Sequence, residues 1–221
     1  MSTVLSTKIL TPSQRALLSG HRLIECDFIR VTHYPPSDFE GLVVAGIPAV
    51  FSSQNAVRAA APLITSRPSD FKRVFCVGER TALSLTAHDL HPDLIALNSK
   101  ALAMEIAKVE GLDSLNYFCG RLRRPDLPAV LTASNIRVFE VAVYQTVRTP
   151  QRIDTPFDVV LFYSPSGVKS FLERNRISER QTAIAIGHTT AAYLACFHRN
   201  TVVAEQPEVA YVLLKAADIL S

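Results

Sequence analysis

Short apolar runs rich in β-branched and aromatic residues alternate along this chain with stretches whose apolar positions recur at helical spacing. Val4–Thr7, Leu23–Val31, Val74–Val77, Ile136–Tyr144, Val159–Phe162, Ala183–Ile186 and Thr201–Ala204 read as strands. One strand–turn–helix unit is written twice. Phe51-Ser52-Ser53-Gln54-Asn55-Ala56-Val57 is answered by Phe162-Tyr163-Ser164-Pro165-Ser166-Gly167-Val168. Val77-Gly78-Glu79-Arg80-Thr81-Ala82 is answered by Ile186-Gly187-His188-Thr189-Thr190-Ala191. Ser53 and Gly78 lie 25 residues apart, and Ser164 and Gly187 lie 23 apart. Alternating β and α elements imply parallel sheets with right-handed crossovers. Each turn presents the unpaired N–H groups and positive dipole end of a helix, which suit an anion.

Two proline-bearing segments divide the chain. Tyr34-Pro35-Pro36-Ser37 removes two backbone donors and forbids a helix, and it reads as a linker. Arg148 to Pro156, with Pro150 inside it, reads as a second. Residues 1–33 hold only two predicted strands, too few for a parallel sheet covered on both faces. Residues 157–221 hold three more, so the two terminal pieces together match the five strands inserted between the linkers. The expected fold class is α/β: two similar domains, each a parallel sheet of about five strands flanked by helices. Residues 1–33 and 148–221 form the discontinuous domain and 37–142 the inserted one, with a cleft between them. Within the first, Thr11-Pro12-Ser13-Gln14 opens a helix through a capping box, and Gly20 marks its end.

Composition narrows the partners. Apolar residues make up 48% and charged residues 19%, a globular balance. A net charge of +3 and the lack of a basic block with interleaved aromatics argue against nucleic acid. No stretch of about 18 apolar residues is present, so no membrane partner is expected. Cys26, Cys76, Cys119 and Cys196 form no Cys-x-x-Cys pair, which argues against zinc or a dithiol centre and fits a reducing cytoplasm. Neither repeat carries the Gly-x-Gly-x-x-Gly of a dinucleotide site, and no cofactor or metal is expected.

Ser53, Asn55, Ser164 and Ser166 sit at strand-to-helix turns. There they cap helices, as such residues do in any protein, and shape turns whose amides face a ligand. Gly78 and Gly187 permit positive φ or close backbone approach ahead of a helix, with Thr81, Thr189 and Thr190 in its first turn. Of Arg121, Arg123 and Arg124, Arg121 follows Gly120 at the expected end of a strand, where open α/β sheets bind ligands. The other two read as solvated loop charge.

The two repeats, together with Val143-Tyr144-Gln145-Thr146 and the Arg-x-x-Arg-Pro-Asp-Leu-Pro stretch at 121–128, resemble the uroporphyrinogen-III synthase family, in order and over nearly the whole chain. The resemblance implies two α/β domains joined by a two-stranded linker. It also implies a cofactor-free lyase that acts on hydroxymethylbilane, a linear tetrapyrrole bearing eight carboxylates. Such an enzyme expels the terminal hydroxyl as water, inverts the last ring through a spiro intermediate, and closes the macrocycle. Unaided closure gives the uninverted isomer, so positioning should outweigh acid–base chemistry. Tyr144 matches the family's proposed acid, and a phenol is protonated at neutral pH. The partner expected is this one small molecule, bound by a monomer. The alternative is a non-catalytic tetrapyrrole or anion sensor on the same scaffold.

Overall fold

The computed structural model describes residues 1–220. The chain runs β1 (Thr3–Ser6), α1 (Pro12–Ala16), β2 (Arg22–Glu25), β3 (Ile29–His33), β4 (Ala49–Phe51), α2 (Gln54–Ser66) and β5 (Val74–Val77). It continues through α3 (Glu79–Thr86), β6 (Leu94–Ala96), α4 (Ser99–Ile106), β7 (Ser114–Gly120), α5 (Asp126–Ala133) and β8 (Arg137–Arg148). It closes with β9 (Val159–Phe162), α6 (Pro165–Leu172), β10 (Thr182–Ala185), α7 (His188–Leu194), β11 (Thr201–Val203) and α8 (Val209–Leu220). Two compact units result: residues 1–30 with 147–221, and residues 31–146.

The first unit holds a five-stranded parallel sheet in the order β11-β10-β9-β1-β2, so strands from both ends of the chain share one sheet. Its two faces follow from period-two alternation. Val4, Val159, Leu161 and Ile184 pack on one side, and Leu5, Val160, Phe162 and Ala185 on the other. Thr11 makes the expected capping box with Gln14. That helix stops at Ala16, however, and Gly20 is not among the glycines with positive φ.

The second unit holds six strands rather than about five, in the order β3-β8-β7-β4-β5-β6. The extra strand corrects the reading of Leu23–Val31 as one strand, because the run breaks at Cys26–Phe28 into β2 and β3, which join different sheets. Long-range bonds make the break. The Asp27 carboxylate accepts the Ile9 N–H at 3.0 Å, and its carbonyl accepts from the Thr149 hydroxyl at 2.8 Å and the Gln151 amide at 3.1 Å. Phe28 is fully buried edge-on against Phe171. The proline segment also holds more structure than expected. Pro36 opens a single 3-10 turn to Asp38, a first position where a missing N–H costs nothing.

Alternation again sorts the second sheet's faces. Phe51, Cys76, Phe118 and Val141 lie on one side, with Phe51 and Phe118 stacked at 4.8 Å. Val50, Phe75, Tyr117 and Cys119 lie on the other. Burial raises the thiols of Cys76 to about 11 and Cys119 to about 12. Both groups lose protons more readily in the unfolded chain, so the stability they confer is complete below about pH 9 and lost as pH climbs through their folded values. Melting temperature should therefore hold up to about pH 9 and fall between about pH 9 and 12. Cys76→Ala and Cys119→Ala together should flatten that fall, and an unflattened decline would place its cause elsewhere.

Candidate active site

At the carboxyl ends of β4, β5 and β7 in the second unit lies a cavity of about 390 Å³, a volume typical of small-molecule sites. Ser52, Asn98, Lys100, Tyr117, Gly120, Arg123, Arg124 and Tyr144 contribute to its lining. Lys100, Arg123 and Arg124 face a single lining acid, Asp126, which biases the cavity towards anions. Arg123 is held by an ion pair with Glu140, while Arg124 makes none among the described residues.

A bulge aims Tyr144. Along the β7–β8 ladder Cys119 pairs with Ala142, but Gly120 pairs with Tyr144, so Val143 is the extra residue. Strict alternation would send Tyr144 to the face opposite Val143. Instead Val141, Val143 and Tyr144 all pack against the same cluster. The ring lies across bare backbone at Gly120, where a Cβ would sit 2.7 Å from Tyr144 Cζ. The Arg121 N–H donates to the Tyr144 carbonyl at 2.8 Å and fixes the strand beside it.

Ser53 completes the arrangement. It is the N-cap of α2, its Oγ accepting the Ala56 N–H at 3.2 Å. Its proton goes to the Tyr144 phenol oxygen at 3.1 Å. With that oxygen engaged as acceptor, the phenol's own proton has no acceptor among the described residues and is available to a ligand.

The remaining candidates sort by geometry. Asn55 lies in the first turn of α2, where its amide and that of Gln54 have no partner among the described residues. Gly78 is the N-cap of α3 with φ +80°, a conformation that requires glycine. Thr81 is buried one turn on, and Glu79 places the protein's own carboxylate at that helix start. The Arg121 side chain is exposed and does not line the cavity. Arg123 and Arg124, read from sequence as loop charge, do line it, as do Ser52, Tyr117, Asn98 and Lys100, which sequence reasoning passed over. Asn98 alone carried a signal, as an N-cap-type residue before an apolar stripe; its side chain accepts the Ala101 N–H.

In the first unit Ser164 caps α6 through the Gly167 N–H at 3.1 Å. Pro165 has no N–H to offer, and the Ser166 amide has no partner among the described residues. Gly187 is the N-cap of α7, but its φ of −176° is ordinary extended backbone, so the expectation of positive φ holds at Gly78 and not here. Thr189 is exposed and Thr190 is buried. Among the described residues no set of three His, Cys, Asp or Glu side chains is grouped for a metal, and no helix is long and apolar enough to cross a membrane.

Fold and cavity together define an α/β protein with a cationic pocket beside an available phenol proton. The family model described as uroporphyrinogen-III synthase HemD matches residues 19–213. The chain belongs to the uroporphyrinogen-III synthase family, cofactor-free cyclising lyases of tetrapyrrole biosynthesis. Among solved structures, the uroporphyrinogen-III synthetase from Helicobacter pylori 26695 is similar over 99% of this chain and 100% of its own, with 20% identity and a TM-score of 0.73. A mutant uroporphyrinogen III synthase from the extreme thermophile Thermus thermophilus is similar over 100% of this chain and 99% of its own, with 14% identity and a TM-score of 0.73. Likeness at such identities is one of fold, and membership rests on the family match. No curated protein matches the chain in sequence.

Proposed function

We propose that this chain carries out its family's reaction, closing hydroxymethylbilane to uroporphyrinogen III, with Tyr144 as the acid that protonates the departing hydroxyl. The observation that supports this most is the bond from Ser53 to the phenol oxygen of Tyr144, which leaves the phenol proton free. Once the proton is given up, the same Ser53 donor stabilises the phenolate. Loss of water leaves an electron-poor methylene on the terminal ring. The rest of the task is geometric: hold the chain so that the inverted closure precedes the direct one.

The substrate's carboxylates set the binding chemistry. Lys100, Arg123 and Arg124 supply cations, and the amides of Gln54 and Asn55 supply helix-start donors. Ser164, Ser166, Gly187, Thr189 and Thr190 at the first unit's turns, with Gly78 and Thr81, are the remaining substrate-binding candidates. Arg124→Ala should raise KM about tenfold with little change in kcat, because a carboxylate contact is present before and during the reaction. Arg121→Ala should change KM less. The opposite ranking, read from initial rates over a range of substrate concentrations, would move the subsite. The reading extends to a monomer working in the cytoplasm, which its four unpaired cysteines favour.

Purified protein given hydroxymethylbilane and nothing else should consume it faster than it closes spontaneously. Consumption at the spontaneous rate would contradict the proposal.

A further inference from the structure

A second serine–tyrosine pair lies on the same cavity, and the scheme above leaves it unused. Tyr117 is 2% exposed, and its hydroxyl donates to Ser52 Oγ at 3.2 Å. Ser52 directly precedes Ser53, and both Ser52 and Tyr117 line the cavity with Tyr144. The two pairs run in opposite senses. Ser53 donates to Tyr144, whereas Tyr117 donates to Ser52.

A hydroxyl has one proton and two lone pairs. The Ser52 oxygen is occupied as an acceptor, and no group among the described residues accepts its proton. Tyr117 is differently placed. Its proton is committed to Ser52, and burial pushes its phenol up to about 12, so it stays protonated and gives nothing away. The adjacent serines thus set two free protons on one cavity, that of Tyr144 and that of Ser52. A linear tetrapyrrole offers few acceptors to such donors. Its pyrrole nitrogens carry protons of their own, leaving the carboxylates and the departing hydroxyl. Cationic Lys100 and Arg124 on the same lining favour a carboxylate.

We propose that Ser52 is a second hydrogen-bond donor to the substrate, engaging a carboxylate oxygen, and that Tyr117 is a positioning residue that turns the Ser52 proton into the cavity. This rests on the reading of the cavity as the active site. Ser52 binds ground state and transition state alike, so its loss appears in KM; Tyr117 acts only through it.

Steady-state kinetics with hydroxymethylbilane on wild type, Ser52→Ala, Ser52→Thr, Tyr117→Phe and the double variant S52A/Y117F test the proposal. Ser52→Ala should raise KM about tenfold with kcat within about twofold, and Ser52→Thr should restore wild-type KM. Tyr117→Phe, which keeps the buried ring, should raise KM about threefold, and in the Ser52→Ala background it should add nothing further. A purely structural Tyr117 would lower melting temperature in both backgrounds and leave KM untouched, which would overturn its assigned role. An unchanged KM in Ser52→Ala, or a fall in kcat at constant KM, would overturn the carboxylate contact. If Tyr117→Phe does not fold, the serine variants alone decide. Wild-type protein that forms no type III isomer would refute the active-site reading itself, whereas active wild type with an indifferent Ser52 would refute only this inference.

Discussion

Replacing Tyr144 with phenylalanine should lower kcat by about 10²–10⁴-fold, the range lost when a general acid is removed. KM should stay close to wild type, because the ring that packs across Gly120 and against the Phe51–Phe118 cluster is retained. The variant removes the donated proton and leaves Ser53 still capping α2 through the Ala56 N–H. Far-UV circular dichroism and melting temperature should therefore match wild type. Wild-type turnover in this variant would reduce Tyr144 to a packing residue and leave the oriented proton without a role.

Gly120→Ala should cost nearly as much by a different route. A Cβ at this position would meet Tyr144 Cζ at 2.7 Å, Cε2 at 2.8 Å and the phenol oxygen at 3.0 Å. Contacts that short do not persist, so the ring must move away and lose its bond to Ser53. Misplacing a catalytic group by about 1 Å costs about 10²-fold in rate, and overpacking of this kind costs about 1–3 kcal/mol in stability. We expect kcat to fall about 100-fold, and G120A/Y144F to be little worse than Tyr144→Phe alone, since both changes disable one group. Gly41→Ala is the control. Its Cβ would meet nothing within 4 Å, and its activity should be unchanged. Normal turnover in Gly120→Ala would mean that the pose of Tyr144 is not needed.

Local patterns carried much of this architecture. The duplicated strand–turn–helix units stand in the sequence as apolar runs followed by small polar turns, and Ser53 and Ser164 cap helices where those turns predicted them. Counting strands in the terminal pieces was enough to join β1 and β2 with β9, β10 and β11 in one sheet. The division of Leu23–Val31 was hidden because most of its residues are strand-forming. Its break is made by Thr149 and Gln151, more than a hundred residues away.

The candidate site was less legible than the fold. Tyr144 could be picked out by resemblance, but its direction depends on a bulge opposite Gly120, a matter of pairing between two strands. Which arginine of the 121–124 cluster faces the cavity depends on the turn after β7, and a run of like charges holds no mark of that turn. Nothing in the run Tyr117-Phe118-Cys119 sets Tyr117 apart from its apolar neighbours. Its hydroxyl matters only because β4 ends beside it with a serine.

Separation of the type I and type III isomers formed from hydroxymethylbilane, by wild type and by Tyr144→Phe under the same conditions, tests the central claim most directly. Wild type should give predominantly the type III macrocycle. Tyr144→Phe should give predominantly type I, because slowed inversion lets spontaneous closure win. A wild-type protein that yields only type I, or a Tyr144→Phe variant that yields type III at the wild-type rate and ratio, would contradict it.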